Sequence, residues 1–366
     1  MQLAKKTDMW PYWLLFLVPA FQAVTKLRQP VSAFQSHYWT ASWRMVFGLL
    51  VLMIGLRHEV GGDWIPYMEL VESAQVQGLA ETVTHGDPAY NLLNWVAAQL
   101  GLGVYLVNSV CAVMFTWGLL SFCRSQPRSW LALVVAVPYL ITVVAMGYSR
   151  QGVAIGLIML GLVALAKRDG IRYLFCVGSA ALFHQSAIIL IPMVVLASSR
   201  NWLYSLLWAI LSTVLFVVWV LQAAVDRLIN NYLLFEYDST GAAIRVAMNA
   251  VPAVIFLMLR KRFHLSPEHR RFWTLMAYVA LIFVVLLYVS PSSTAVDRIA
   301  LYWIPLQLFV LSRIPDAVGR PGAQNAVWVI AVVAYSALVH FVWLFFAAFS
   351  YLWLPYQFYP WVWMWK

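Results

Sequence analysis

The sequence predicts an all-α fold, a polytopic membrane bundle of about 10 to 12 transmembrane or re-entrant helices that cross or enter the hydrocarbon. Three observations carry that prediction. Of 366 residues, 63% are hydrophobic and 10% charged, whereas soluble domains average about half apolar and a quarter charged. Apolar runs recur from one end to the other with no long polar block between them, so residues 1–366 read as one integral membrane domain. Lys and Arg give a net charge of +10. They gather in short clusters between the runs, as on a cytoplasmic face, and do not form a nucleic-acid-binding surface.

Taken in order, spans are expected at 10–25, 42–57, 103–122, 129–148 and 151–166, then at 202–221, 242–259, 272–290, 299–312 and 325–347. Residues 88–100 read as an interfacial helix. The first run, Trp10 to Val24, is followed by Lys26 and Arg28 instead of a small-residue cleavage site, so it is expected to stay as a span. Cys111, Cys123 and Cys176 lie in or beside apolar runs without paired spacing, which indicates packing rather than disulfides or a Cys-based metal site.

Orientation follows from the cations. Lys26, Arg28 and Arg44, Arg124 and Arg128, Lys167, Arg168 and Arg172, Arg260 to Arg271, and Arg313 and Arg320 mark one face, expected to be cytoplasmic. Residues 58–87 carry Glu59, Asp63, Glu69, Glu72, Glu81 and Asp87 with no Lys or Arg, so that stretch faces the other way. A single crossing between Arg172 and Arg200 would put the most basic loop outside. The segment 172–197 is therefore read as two short apolar pieces about Phe183, His184, Gln185 and Ser186, a re-entrant or broken helix pair. The competing reading is one long tilted helix with a weak charge signal.

That topology collects Arg57, His58, Glu59, Asp63, His85, Asp87, Arg150, Gln151, His184, Asp297, Arg298 and Tyr356 on one side. Ionisable groups at the edge of an apolar slab are expensive and read as functional by default. Arg150 joins two apolar runs with almost no loop, which presents its guanidinium to that side; the plain alternative is an arginine reaching for lipid headgroups. Arg298 is expected to be partly neutralised by its neighbour Asp297. After Arg57, Gly61 and Gly62 allow a tight turn that folds Asp63 back over the membrane edge. No HExxH, paired-His spacing or Ser, His, Asp arrangement stands out. For general acid or base chemistry the candidates are Asp63 and His184, with Glu59, His58, His85 and Asp87 behind them.

These pieces, in their order and spacing, resemble the EpsG family of exopolysaccharide polymerases, Wzy-like membrane proteins that join lipid-linked repeat units outside the inner membrane. The resemblance rests on Arg57 with Gly62, Asp63 and Tyr67, Pro88 and Tyr90, Arg150, Gln151 and Ala154, Phe183, His184, Ser186 and Ala187, Arg298 with Tyr302, and Pro355 with Tyr356. Gly62 stands where that family usually has a small hydroxyl residue. The resemblance implies a GT-C-like bundle with an external active-site cavity in a bacterial inner membrane. It implies transfer of a growing glycan from an undecaprenyl pyrophosphate carrier to the next lipid-linked repeat unit.

In that reading Arg57, Arg150 and Arg298 hold the pyrophosphate, since arginine forks bind phosphate oxygens bidentately and stay charged. Asp63, His184 and Arg150 are the catalytic candidates, and Tyr67, Tyr90, Gln151, Tyr302 and Tyr356 the substrate-binding ones. No cofactor or metal is expected, because three arginines neutralise the leaving group and no carboxylate cluster has ligand spacing. Expected partners are the lipid-linked oligosaccharide donor and acceptor, membrane lipids, a chain-length regulator and export machinery, with no nucleic acid. Two other readings share the donor. They are an O-antigen ligase, which usually carries a larger external loop, and a transporter or flippase, which would line a central path with its charges. The aromatic tail YLWLPYQFYPWVWMWK either caps the cavity or lies at the interface.

Overall fold

The architecture comes from a computed structural model that describes residues 9–27, 39–84, 86–192, 241–290, 292–320 and 323–364. Among these the chain is helical. The elements are α1 (Trp10–Thr25), α2 (Ala41–Gly55), α3 (Trp64–Val76), α4 (Leu79–Thr84), α5 (Pro88–Gln99), α6 (Gly103–Arg124), α7 (Ser129–Ala145), α8 (Ser149–Ala166) and α9 (Gly170–Phe183). They continue as α10 (Ala242–Leu259), α11 (Pro267–Val289), α12 (Ser293–Leu311), α13 (Ile314–Val318), α14 (Ala326–Phe346) and α15 (Tyr359–Met364). Six of them, α6, α8, α10, α11, α12 and α14, are long and apolar enough to cross a membrane, and α2, α7 and α9 are shorter apolar helices. The chain is a multi-pass membrane protein.

The helices begin where the sequence supplies start signals. Asp169 accepts the Arg172 amide at the head of α9 at 2.9 Å. Ser292 accepts the Ala295 amide at the head of α12, and Pro88 and Pro267 open α5 and α11 with the φ a first turn needs. The second half of α7, Val137–Ala145, is wound as a π-helix, a rare form that is frequent at functional sites.

Small residues let the central helices meet. A Cβ on Gly118 of α6 would collide with the Gly156 carbonyl of α8, and one on Gly156 would come within 2.7 Å of the Phe115 Cα. In lipid, where apolar side chains gain little by meeting each other, close backbone approach of this kind drives helix association.

The two ends of the bundle differ in charge. At one end Arg128 chelates Asp316 at 3.0 and 2.7 Å and also donates to the Leu27 and Ala323 carbonyls, Arg313 donates to Gln126, and Arg168 meets Glu268 at 2.9 Å. The other end carries the helix α2 C-terminus, α3 to α5, the N-termini of α8, α10 and α12, and the C-terminus of α9. Residues 58–87, expected as a plain external stretch, contain α3 and α4. Tyr67, Val71 and Ala74 of α3 pack with Tyr90 and Ala97 of α5 in a separate apolar cluster at this end. The expected break at His184 is present, where the backbone turns extended (φ −155°, ψ 107°) after α9. A 3-10 turn, Gln185–Leu190, follows. The second limb beyond Pro192, the expected span 202–221, the stretch 222–240 and His85 lie outside the described residues.

Candidate functional site

Three junctions meet at this end, and the first is the turn from α2 into α3. Its Gly61 sits at φ +109°, and a Cβ there would strike the Met146 carbonyl. Only glycine combines that backbone with that clearance. Gly62 differs, since a Cβ would meet Trp353 at 3.7 Å and Tyr148 at 3.9 Å, ordinary contacts. Asp63, at the head of α3, donates its amide to the Gly147 carbonyl at 3.3 Å and accepts the Tyr67 hydroxyl at 3.2 Å. Burial raises the Asp63 pKa above the ordinary carboxylate value, against the opposing pull of Arg298 first and Arg150 next.

The chain's C-terminal stretch braces this turn. The Gly61 amide donates to the Leu352 carbonyl and the His58 amide to the Gln357 carbonyl, both at 2.9 Å, while Arg57 and Phe358 form an isolated antiparallel bridge. Trp353 is buried, its indole donating to the Thr142 carbonyl of the π-wound segment at 2.8 Å and its carbonyl accepting the Tyr12 hydroxyl at 2.6 Å. The tail therefore works as a brace beneath the turn.

Arg57 corrects one expectation. It is 1% exposed. Its guanidinium donates to the Ile54 carbonyl at 2.5 Å, the Val60 carbonyl at 3.2 Å, Asn108 Oδ1 at 3.1 Å and Ser149 Oγ at 2.7 Å. Each of its three nitrogens already serves protein acceptors from α2, the turn after it, α6 and α8, so the side chain is not offered to a ligand. Its buried charge faces four neutral oxygens, and burial pulls its pKa down.

The second junction is the α8 N-terminus. Arg150 meets Asp87 at 3.2 Å and lies 5.8 Å from the ring centres of both Tyr67 and Tyr90, with 35% of its side chain still exposed. Asp87 also accepts the Gln185 amide at 3.0 Å, and the Gln185 side chain donates to the Gly86 carbonyl at 2.6 Å. One carboxylate thus ties Arg150 to the break that holds His184. Past that break, Ser186 Oγ lies 3.3 Å from His184 Nδ1 and 3.0 Å from the Tyr302 hydroxyl. Burial, then Arg150 and Arg298, push the His184 pKa down to about 3, so the imidazole is neutral at physiological pH.

The third junction is the start of α12. Asp297 does not pair with Arg298 as expected. Arg245 of α10 takes both its oxygens at 2.6 Å each. The Arg298 side chain is exposed, and among the described residues no carboxylate lies within ion-pair distance of it. Its carbonyl is held by Gln151 at 2.5 Å.

The structure brings Asp63, Arg150, His184 and Arg298 to one end and presents them at or near its surface. It places the expected sugar-binding residues differently. Tyr67, Tyr90, Tyr302 and Gln151 are buried, where they support charged neighbours and have no ring or amide face open to a sugar. Tyr356 donates to the Met53 carbonyl at 2.8 Å and meets Tyr12 edge-on. Sequence reading weighed Asp87 only as a minor base candidate and gave no role to Arg245, Asn108, Ser149 or Gln185. An intramembrane-edge ion such as Arg245 was the available signal. Among the described residues no group of three His, Cys, Asp or Glu side chains is placed to hold a metal ion.

The family model of the EpsG family matches residues 40–358, and the chain belongs to that family. No curated protein and no solved structure matches it.

The turn analysis sets a contrast between adjacent glycines. Gly61→Ala is expected to cost about 1–3 kcal/mol and to lower the thermal midpoint of the purified protein, while Gly62→Ser leaves it unchanged. Differential scanning fluorimetry of both variants in detergent checks this.

Proposed function

We propose that this EpsG-family chain is a Wzy-like polysaccharide polymerase that joins undecaprenyl-pyrophosphate-linked repeat units on the external face of a bacterial inner membrane. Family membership supports the polysaccharide chemistry, and the charge asymmetry of the two ends supports the orientation, basic end inward. The observation that carries the reading is the gathering of two accessible arginines, an acid of raised pKa and a neutral histidine at the less basic end. A flippase would instead spread its charges along a path through the bundle.

In this reading the hydroxyl of the acceptor sugar attacks the anomeric carbon of the donor glycan. The bond from that carbon to the pyrophosphate oxygen breaks, and undecaprenyl pyrophosphate leaves with the electron pair. Arg298, exposed and not neutralised by its neighbour, binds the departing pyrophosphate, with Arg150 beside it. Charge that grows on the leaving group is where fixed donors accelerate a reaction most. The arginines carry this neutralisation, and no metal step is invoked.

The proton passes to Asp63. Between the two candidate bases, the low pKa of His184 makes it a poor proton acceptor, whereas the desolvated carboxylate of Asp63 is the stronger base. His184 acts as a neutral hydrogen-bonding group whose tautomer Ser186 and Tyr302 select. Arg57 and the buried tyrosines keep these groups in place. The GT-C-like bundle, the helix count and the partners in chain-length control and export remain part of this proposal.

Reconstitution in lipid with the host's lipid-linked repeat unit tests it directly. Wild type is expected to yield a glycan ladder. Arg150→Ala, Arg298→Ala and Asp63→Asn, each correctly folded, are expected to lose it by about 100-fold or more. A ladder indifferent to all three refutes the assignment, and transfer only to a lipopolysaccharide acceptor selects the ligase.

The pH profile follows from Asp63. As base it must be deprotonated, and its pKa is raised, so the rate is expected to fall as pH drops through a value above the ordinary carboxylate range. Arg298 is the strongest opposing influence on that pKa. Residual activity in Arg298→Gln is therefore expected to show its acid limb at higher pH than wild type, and Arg298→Lys to keep the limb unmoved. Initial rates across the acid range check both.

A further inference from the structure

Arg245 has no part in the proposed reaction, yet it holds the carboxylate next to Arg298. Asp297 and Arg298 are neighbours on the first turns of α12, and Asp297 is 7% exposed. A carboxylate that buried needs a cation. The nearest along the chain is Arg298, whose long side chain has the reach, but the guanidinium fork of Arg245 from α10 satisfies both carboxylate oxygens at 2.6 Å. Bidentate pairs of this kind are among the strongest hydrogen-bonded ions. On the other side of the same turn, Gln151 holds the Arg298 carbonyl at 2.5 Å.

We propose that Arg245 is a positioning residue that removes Asp297 from competition, leaving Arg298 as an accessible cation for the anionic leaving group. This deepens the polymerase reading and rests on it for its purpose, but the ion-pair exchange itself is independent of the reaction. If the charge of Arg245 is lost, the Asp297 carboxylate turns on Arg298 and quenches it. If Asp297 is neutralised, Arg298 stays as accessible as before. A simple clasp between α10 and α12 behaves differently, because removing either partner would damage it equally.

The asymmetry is measurable without any glycan substrate. Phenylglyoxal modifies accessible guanidinium groups, and the Arg298 peptide can be followed by mass spectrometry on the full chain in lipid nanodiscs. Arg128, chelated by Asp316 at the other end, serves as the internal reference. Arg298 is expected to react equally fast in wild type and Asp297→Asn. In Arg245→Gln it should slow by at least about threefold, as a modest ion pair would slow it. Arg245→Gln with Asp297→Asn should restore the wild-type rate. Arg245→Lys, which keeps the charge but not the fork, should fall between, so the order is readable even if the Gln variant assembles poorly. An unchanged Arg298 rate in both Arg245 variants overturns the proposal. So does equal slowing by Asp297→Asn. Loss of polymerase activity in wild type would instead overturn the functional reading, without touching this result.

Discussion

A single buried guanidinium ties the functional end of this protein together. Arg57 joins the C-terminus of α2 to Asn108 of α6 and Ser149 of α8, and its backbone pairs with Phe358 of the tail. Among the described residues that charge has no carboxylate within ion-pair distance and depends on four neutral oxygens, so every element contributing one is held in register. Ser149 precedes Arg150 in the chain. The residue that anchors Arg57 therefore sets where Arg150 leaves the helix. Gly61 and Trp353 extend the same arrangement, one by admitting the Met146 carbonyl against the backbone, the other by filling the space beside Gly147.

Around that anchor the charges divide by exposure. Arg150 is half engaged by Asp87, which also holds the backbone of Gln185, and so couples the α8 N-terminus to the break after α9. Arg298 is exposed while Asp297 is held by Arg245. Asp63 is a desolvated acid in the field of both arginines. In the proposed reading such a site holds a pyrophosphate next to a base without the two neutralising each other, because Arg150 and Asp297 are each paired with a group other than the proposed base.

How legible this was depends on range along the chain. The helical bundle, the break at His184, a helix over α5 and the charge difference between the ends follow from apolar run length and from where Lys and Arg fall, all local signals. The tight turn before Asp63 was readable from its glycines, of which Gly61 alone is required. What sequence reading got wrong was long-range. Arg57 looked like a ligand because its acceptors Asn108 and Ser149 are 51 and 92 residues away. Asp297 looked like the partner of Arg298 because Arg245, 52 residues earlier, gave no sign of facing it. The tyrosines were read as sugar platforms, since an aromatic at a membrane edge has the same appearance whether it faces a ligand or lies beneath an arginine. Helices α3 and α4 were missed because acidic residues masked a short amphipathic pattern.

The central claim is a division of labour, in which Arg57 builds the site and Arg298 serves the ligand. Thermal unfolding of Arg57→Gln and Arg298→Gln, measured side by side in the same lipid, tests it most directly. Loss of a buried guanidinium with charged hydrogen bonds should lower stability by about 2–3 kcal/mol and depress the midpoint of the Arg57 variant, while the Arg298 variant melts with wild type. Equal midpoints for wild type and Arg57→Gln, or a larger loss in Arg298→Gln, would contradict the account.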